Sequence, residues 1–125
     1  MILAARIGVA LAGLFSLLMG VQAFLTPVEL GQMLGLGALS PLGQNALRAD
    51  IGSFFLVSAA AAALALFAKR PHWLYGAALL YGLAVTGRLI GVLVEGAPEG
   101  VAMPMLVELV LVALFVFGAK KLPSA

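Results

Sequence analysis

The chain has 125 residues, of which 64% are hydrophobic and 10% charged, and its mean hydropathy is +1.19. This composition leaves too little polar surface to cover a soluble particle of this size, which excludes a soluble globular domain. The net charge is +2, but the basic residues are scattered instead of forming a patch, so nucleic acid is excluded as a partner. The absence of cysteine excludes disulfides, thiol catalysis and thiolate metal ligation.

Four apolar runs predict transmembrane helices at about residues 2–25, 41–68, 71–94 and 104–119. Each crossing takes about 20 residues, so the chain accommodates one membrane domain, residues 1–125, without a separate soluble domain. The predicted fold class is therefore all-α: an integral membrane bundle of four transmembrane helices. The first run has an alternative interpretation as a cleaved signal peptide, because Val21-Gln22-Ala23 resembles a small-x-small cleavage site.

A short interfacial helix is predicted between the first and second transmembrane helices. Thr26-Pro27-Val28-Glu29 has the form of a capping box with proline at the first helical position, and Gly35 is typical of a helix end. About two turns are expected to lie along the membrane surface, with Leu30, Met33 and Leu34 on the apolar side. An ordered loop is the alternative for this segment.

The distribution of charge predicts the orientation of the bundle. In a four-helix alternation, cations flank one side of the membrane and the loop glutamates lie on the other. Because cytoplasmic loops carry an excess of Lys and Arg, both termini are predicted to be cytoplasmic. The flanking cations are Arg6, Lys69, Arg70, Lys120 and Lys121, and the glutamates are Glu29, Glu95 and Glu99.

Four further charges lie inside the apolar runs: Arg48, Asp50, Arg88 and Glu108. The same alternation puts all of them in the outer half of the bilayer. An isolated ion at a helix centre costs about 2.5 to 3.5 kcal/mol, so we expect one paired cluster inside the bundle. Asp50 with Arg88, and Arg48 with Glu108, is one arrangement, and an exchange of partners is the other. Such a cluster either fixes helix register or forms a proton or ligand site.

Tyr81 is a further candidate, because it lies seven residues before Arg88 on the same helical face. It either lines a cavity that leads to Arg88 or simply packs and hydrogen-bonds. His72 stands at a helix start beside basic residues and is interpreted as a solvated interfacial side chain rather than a metal ligand. No metal or other cofactor is expected.

Small residues are concentrated in two helices. Residues 58–63 are almost all alanine, and Gly87 and Gly91 have the small-x-x-x-small spacing that lets membrane helices approach closely. These faces suit contacts within the bundle or with another chain. We therefore expect a homo-oligomer or a subunit of a larger membrane complex.

A family resemblance rests on Leu47-Arg48-Ala49-Asp50-Ile51-Gly52, on Gly87-Arg88-Leu89-Ile90, on Glu95-Gly96-Ala97-Pro98, and on Glu108. Their order and spacing resemble the bacterial family of small four-helix membrane proteins known as domain of unknown function 4345. The family pattern Arg-x-acid-x-Gly-Gly is kept except for Ser53 in place of the second glycine. The resemblance implies a multi-pass protein of the bacterial inner membrane, and it brings no established activity, cofactor or catalytic residue.

Two function hypotheses follow. The first is a non-enzymatic accessory or oligomerising subunit in the lipid bilayer, held together by the buried charge cluster. The alternative is a binding or proton-coupled transport site for a lipophilic or anionic small molecule in the outer half of the bilayer. There, Asp50 or Glu108 titrates and Arg88 attracts an anionic headgroup, as in a bound lipid or quinone-like molecule. Enzymatic catalysis on a lipid is a third, more remote hypothesis, because no catalytic motif is found in the sequence.

Overall fold

The computed structural model describes residues 1–125 and is entirely helical. Four helices are long and apolar enough to cross a membrane, and one short helix lies between the first two of them, which confirms the predicted fold class. The long helices begin and end within two residues of the predicted bounds. The five helices are α1 (Ile2–Leu25), α2 (Pro27–Met33), α3 (Pro41–Phe67), α4 (Trp73–Glu95) and α5 (Ala102–Lys121).

The junction between α1 and α2 forms differently from the predicted capping box. The Thr26 hydroxyl donates to the Gln22 carbonyl oxygen at 3.2 Å, within the last turn of α1, and makes no cap for α2. Pro27 still begins α2 at the first helical position. Leu30 is fully buried and anchors α2 on the bundle, whereas Met33 is 66% exposed. The short helix is thus correctly predicted, whereas the predicted capping box at its start is wrong.

Helix α3 begins at Pro41, within the predicted bounds. The Ser40 hydroxyl caps this helix by accepting a hydrogen bond from the Gly43 amide at 3.0 Å. Residues Leu47–Ile51 then form a π-helical turn, in which the Gly52 amide donates to the Leu47 carbonyl oxygen. This wide turn was not predicted. It contains both Arg48 and Asp50, and such turns are frequent at functional positions.

The helices form a bundle in which α1 packs against α3 and α5, and α4 packs against the same two helices. Neighbouring helices are antiparallel. We call the end that carries the α3–α4 turn and both chain termini the termini end; there, the Ala125 amide donates to the Lys69 carbonyl oxygen at 3.0 Å. The opposite end, with α2 and the α4–α5 loop, is the α2 end.

Small residues set the distance between α1 and its neighbours. A Cβ atom on Gly13 would lie 2.6 Å from the Cβ of Ala62, so only glycine permits this approach of α1 to α3. Gly118 of α5 is similarly covered by Val9 of α1. Ala61 and Ala62 are buried, which confirms that part of the alanine-rich segment of α3 receives a neighbouring helix.

Candidate functional site

Arg88 and Glu108 form an ion pair between α4 and α5. The Arg88 Nε donates to the Glu108 Oε1 at 2.9 Å, and the two side chains are 34% and 11% exposed. Arg88 lies seven residues before the end of α4 and Glu108 six residues after the start of α5, so both stand about 10 Å from the connecting loop. The expectation that Glu108 pairs with an arginine is confirmed, and the alternative pairing of Asp50 with Arg88 is wrong.

Arg48 has a different partner from those expected. Its Nε donates to the Phe24 carbonyl oxygen at 3.1 Å, in the last turn of α1. The final carbonyl groups of a helix have no intrahelical donor, and a cation near them also interacts favourably with the helix dipole. Arg48 therefore ties the start of α3 to the end of α1, and this nearby acceptor replaces the predicted carboxylate partner.

Asp50 is exposed on the π-helical turn and accepts no hydrogen bond from a protein donor. The predicted single cluster of four charges is therefore not formed: Arg88 and Glu108 meet, and Arg48 and Asp50 stand apart from them. The physical reason is position. Asp50 is the tenth of the 27 residues of α3 and is exposed, so its carboxylate does not enter the space between the helices where Arg88 and Glu108 meet.

Tyr81 is buried in the centre of the bundle, with 1% of its surface exposed. Its hydroxyl lies 2.7 Å from the Ser16 Oγ, and the Ser16 hydroxyl in turn donates to the Ala12 carbonyl oxygen at 2.9 Å. Either hydroxyl can be the donor in the bond between Tyr81 and Ser16. The bond joins α1 to α4 across the bundle, and the Tyr81 ring meets Phe54 edge to face at 5.0 Å between centroids.

A cavity of about 650 Å³ connects these groups. We call it the bundle cavity; α1, α3, α4, α5, the end of α2 and the α4–α5 loop contribute to its wall. Tyr81 lines it together with Arg88 and Glu108, so both sequence interpretations of Tyr81 hold: it packs and hydrogen-bonds, and it borders a cavity that reaches Arg88. The rest of the wall is mainly apolar and includes Phe15, Met19, Phe55, Val107 and Leu111.

A second cavity of about 510 Å³, here called the loop pocket, lies on the α4–α5 loop. Arg88, Pro98 and Val101 border both cavities, and Glu95 borders the loop pocket alone. Gly96 and Gly100 have φ angles of 87° and 83°, which residues with a side chain rarely adopt. These glycines therefore permit the tight α4–α5 loop that borders both cavities.

Sequence reasoning missed the buried serines. Ser16 and Ser58 are fully buried, and Ser58 donates to the Phe54 carbonyl oxygen at 3.1 Å. Together with Tyr81 and Glu108, they give each spanning helix one buried polar side chain. In the sequence, each of these residues is a single serine inside an apolar run. This pattern is a weak indication of a polar contact between helices, because a serine hydroxyl can donate to a backbone carbonyl of its own helix.

The fold and the site define the class of this protein: an integral membrane bundle of four helices with an ion pair and a mostly apolar cavity at one end. A model of the family described as "Domain of unknown function (DUF4345)" matches residues 4–119, and the chain belongs to this family. Comparison with curated proteins and with solved structures finds no match.

Proposed function

We propose that this protein binds a lipophilic small molecule in the bundle cavity and does not transform it. The observation that carries the proposal is the cavity itself: its volume of about 650 Å³ is within the range of about 300 to 1,000 Å³ typical of ligand pockets, and its wall combines apolar side chains with a few polar groups. The ion pair of Arg88 and Glu108 supplies the polar groups that would orient the ligand.

Binding is favoured over catalysis by the state of the polar groups. The Ser16 hydroxyl is buried and donates to a backbone carbonyl, so it lacks the adjacent general base that activates a serine nucleophile. Arg88 and Glu108 neutralise each other at 2.9 Å. This arrangement is suited to recognition, and a lipid or a quinone-like molecule has the size and apolar character that the wall accommodates.

Native mass spectrometry of the purified protein in a mild nonionic detergent tests the proposal. We expect one small molecule or lipid per chain to remain bound to the wild type, and its mass identifies it. Val107→Trp fills the cavity from α5 and is expected to abolish retention, because Val107 is part of the wall. Leu109→Trp is the matched control on the same helix, since Leu109 is 54% exposed and borders neither the bundle cavity nor the loop pocket. Equal retention by both variants would contradict the proposal.

A second candidate function is an oligomerising or accessory subunit, and one observation favours it. A Cβ atom on Gly87 would meet nothing within 4 Å, so the small-x-x-x-small face of α4 is not used inside the bundle. We expect Gly87→Leu to lower the dimer fraction in the same mass spectra, with Gly82→Leu as the control on the same helix. A monomer in both proteins would remove this candidate.

The location proposed for the protein is the bacterial inner membrane, with both termini in the cytoplasm. The support is the asymmetry of charge between the two ends of the bundle. Five of the seven Lys and Arg residues lie at the termini end, as the positive-inside rule requires of a cytoplasmic side.

A further inference from the structure

The charges around the bundle cavity do not favour the anionic ligand that Arg88 alone would attract. Glu108 already neutralises Arg88 at 2.9 Å. Glu99 also borders the bundle cavity, and Glu95 borders the loop pocket. The two spaces therefore carry one cation against three carboxylates. An anionic ligand would have to separate the ion pair or lie beside uncompensated carboxylates.

The same imbalance extends over the whole α2 end. All five acidic residues of the chain lie there, against Arg48 and Arg88, which gives this end a net charge of −3. A surface with an excess of one sign raises the local concentration of the opposite ion near the mouth of a cleft. The approach to the bundle cavity is thus electrostatically favourable for a cation.

Inside the cavity, an acceptor group is available for such a ligand. The Glu108 Oε2 receives no hydrogen bond from the protein and is not completely buried, and Glu108 borders the cavity. A carboxylate oxygen is a suitable partner for an ammonium group or another cation.

The apolar part of the wall is also suited to a bulky cation. Phe15, Phe55 and Tyr81 border the cavity, and the face of an aromatic ring attracts a cation. Met19 and Met33 border it too, and flexible thioether side chains adapt to ligands of different shape.

We propose that the ligand of the bundle cavity is a lipophilic cation, whose charge is held between Glu99 at the mouth and Glu108 inside, and whose apolar groups lie against the aromatic and methionine wall. This inference rests on the proposed function, because it names the ligand class of the same site. It replaces the anionic headgroup expected from the sequence.

Two probes of matched shape and opposite charge test the inference: tetraphenylphosphonium and tetraphenylborate. Their binding to the full chain in nonionic detergent is measured by equilibrium dialysis, with protein-free micelles subtracted. We expect saturable binding of tetraphenylphosphonium at one site per chain and binding of tetraphenylborate at least about tenfold weaker.

Substitutions of Glu99 locate the charge preference. Glu99→Gln is expected to weaken tetraphenylphosphonium binding about fivefold, as for the loss of one hydrated charge near the cation. Glu99→Lys should weaken it further and strengthen tetraphenylborate, a reversal that a merely structural effect would not produce. Glu29→Gln is the matched control, because Glu29 is exposed at the same end and does not border the cavity.

The outcomes separate this inference from the proposed function. If both probes bind equally and compete, and Val107→Trp abolishes both, the cation preference is wrong while the cavity remains a binding site. Stronger binding of tetraphenylborate, or no effect of Glu99→Lys, also overturns the preference. If neither probe binds saturably, the cation inference is wrong, and the retained-ligand measurement alone decides the proposed function.

Discussion

At the residue scale, the Arg88–Glu108 pair joins α4 to α5 beside the bundle cavity. A pair of this kind is costly to break, because the remaining partner is left as an uncompensated charge in a low-dielectric site. Arg88 is 34% exposed and borders the loop pocket at the α2 end, where contact with water would offset part of that cost. The pair therefore stabilises the α4–α5 hairpin and also keeps a polar surface on the cavity.

Removal of one partner is expected to destabilise the bundle. Arg88→Ala should lower the free energy of unfolding by about 2 kcal/mol, less than the roughly 3 to 5 kcal/mol of a fully buried pair, because Arg88 is partly exposed beside the loop pocket. Glu108→Gln should also destabilise at pH 7, since it keeps the shape but leaves Arg88 uncompensated. Thermal unfolding in detergent measures both.

Lys120→Ala serves as the control for an exposed charge and is expected to change the free energy of unfolding by no more than about 1 kcal/mol. The double variant of Arg88→Ala and Glu108→Gln should be more stable than the sum of the single effects predicts, because neither charge is then left alone. An unchanged unfolding transition in Glu108→Gln would refute the pairing.

The sequence left the Arg88–Glu108 pair as one of two possible arrangements, although the spacing of these residues favours it, and it did not predict the surroundings of Arg48 and Asp50. In two antiparallel helices joined by a short loop, residues at similar sequence distances from the loop lie at the same height. Arg88 and Glu108 are seven and six residues from the ends of their helices at the loop, so they lie opposite each other. Arg48 instead bonds the Phe24 carbonyl oxygen, an acceptor that belongs to the backbone and leaves no mark in the sequence. Asp50 needs no protein partner where water reaches it.

At the scale of the helices, apolar length and start signals were sufficient to place the spanning elements. Pro41 begins α3 as the predicted bounds require, and the Ser40 hydroxyl caps the helix by accepting from the Gly43 amide. The π-helical turn Leu47–Ile51 was missed, since a shift of the backbone hydrogen bonds by one residue has no strong side-chain requirement. The cap of α2 was missed because Thr26 bonds backward to Gln22 instead.

The end of α3 offers a test at the same scale. Lys69 follows the helix with a φ angle of 55°, a left-handed conformation in which a side chain costs about 1 to 2 kcal/mol. Lys69→Gly is expected to raise the stability by about 0.5 to 1 kcal/mol, because glycine avoids that cost but gains freedom in the unfolded chain. Differential scanning calorimetry measures the change. Arg70→Gly, at a residue without a positive φ, should give no gain, and a lower melting temperature for Lys69→Gly would contradict the argument.

At the scale of the whole molecule, the two ends of the bundle carry opposite charge. The termini end holds Arg6, Lys69, Arg70, Lys120 and Lys121, and the α2 end holds every acidic residue. This asymmetry was readable from the sequence once the four crossings were placed. The bundle cavity was not, because its shape depends on how side chains from five helices and a loop fill the space between them.

The asymmetry predicts the topology in the cell. Reporter fusions at Ala125 and within the α4–α5 loop at Gly96 should report a cytoplasmic C-terminus and a loop on the opposite side of the membrane, because basic residues are retained in the cytoplasm. A cytoplasmic reporter should therefore be active at Ala125 alone. An active periplasmic reporter at Ala125 would reverse the orientation and put the cavity mouth in the cytoplasmic half of the bilayer.

Photolabelling of the protein in lipid vesicles tests the central claim, occupancy of the bundle cavity by a lipophilic molecule. The probe is a neutral aryl diazirine, and labelled residues are mapped by peptide mass spectrometry. We predict saturable labelling concentrated on Phe15, Met19 and Val107, competed by excess unreactive analogue. Labelling that rises linearly with probe concentration and is spread over exposed leucines such as Leu83 and Leu93 would contradict the claim, because it would show only the surrounding lipid.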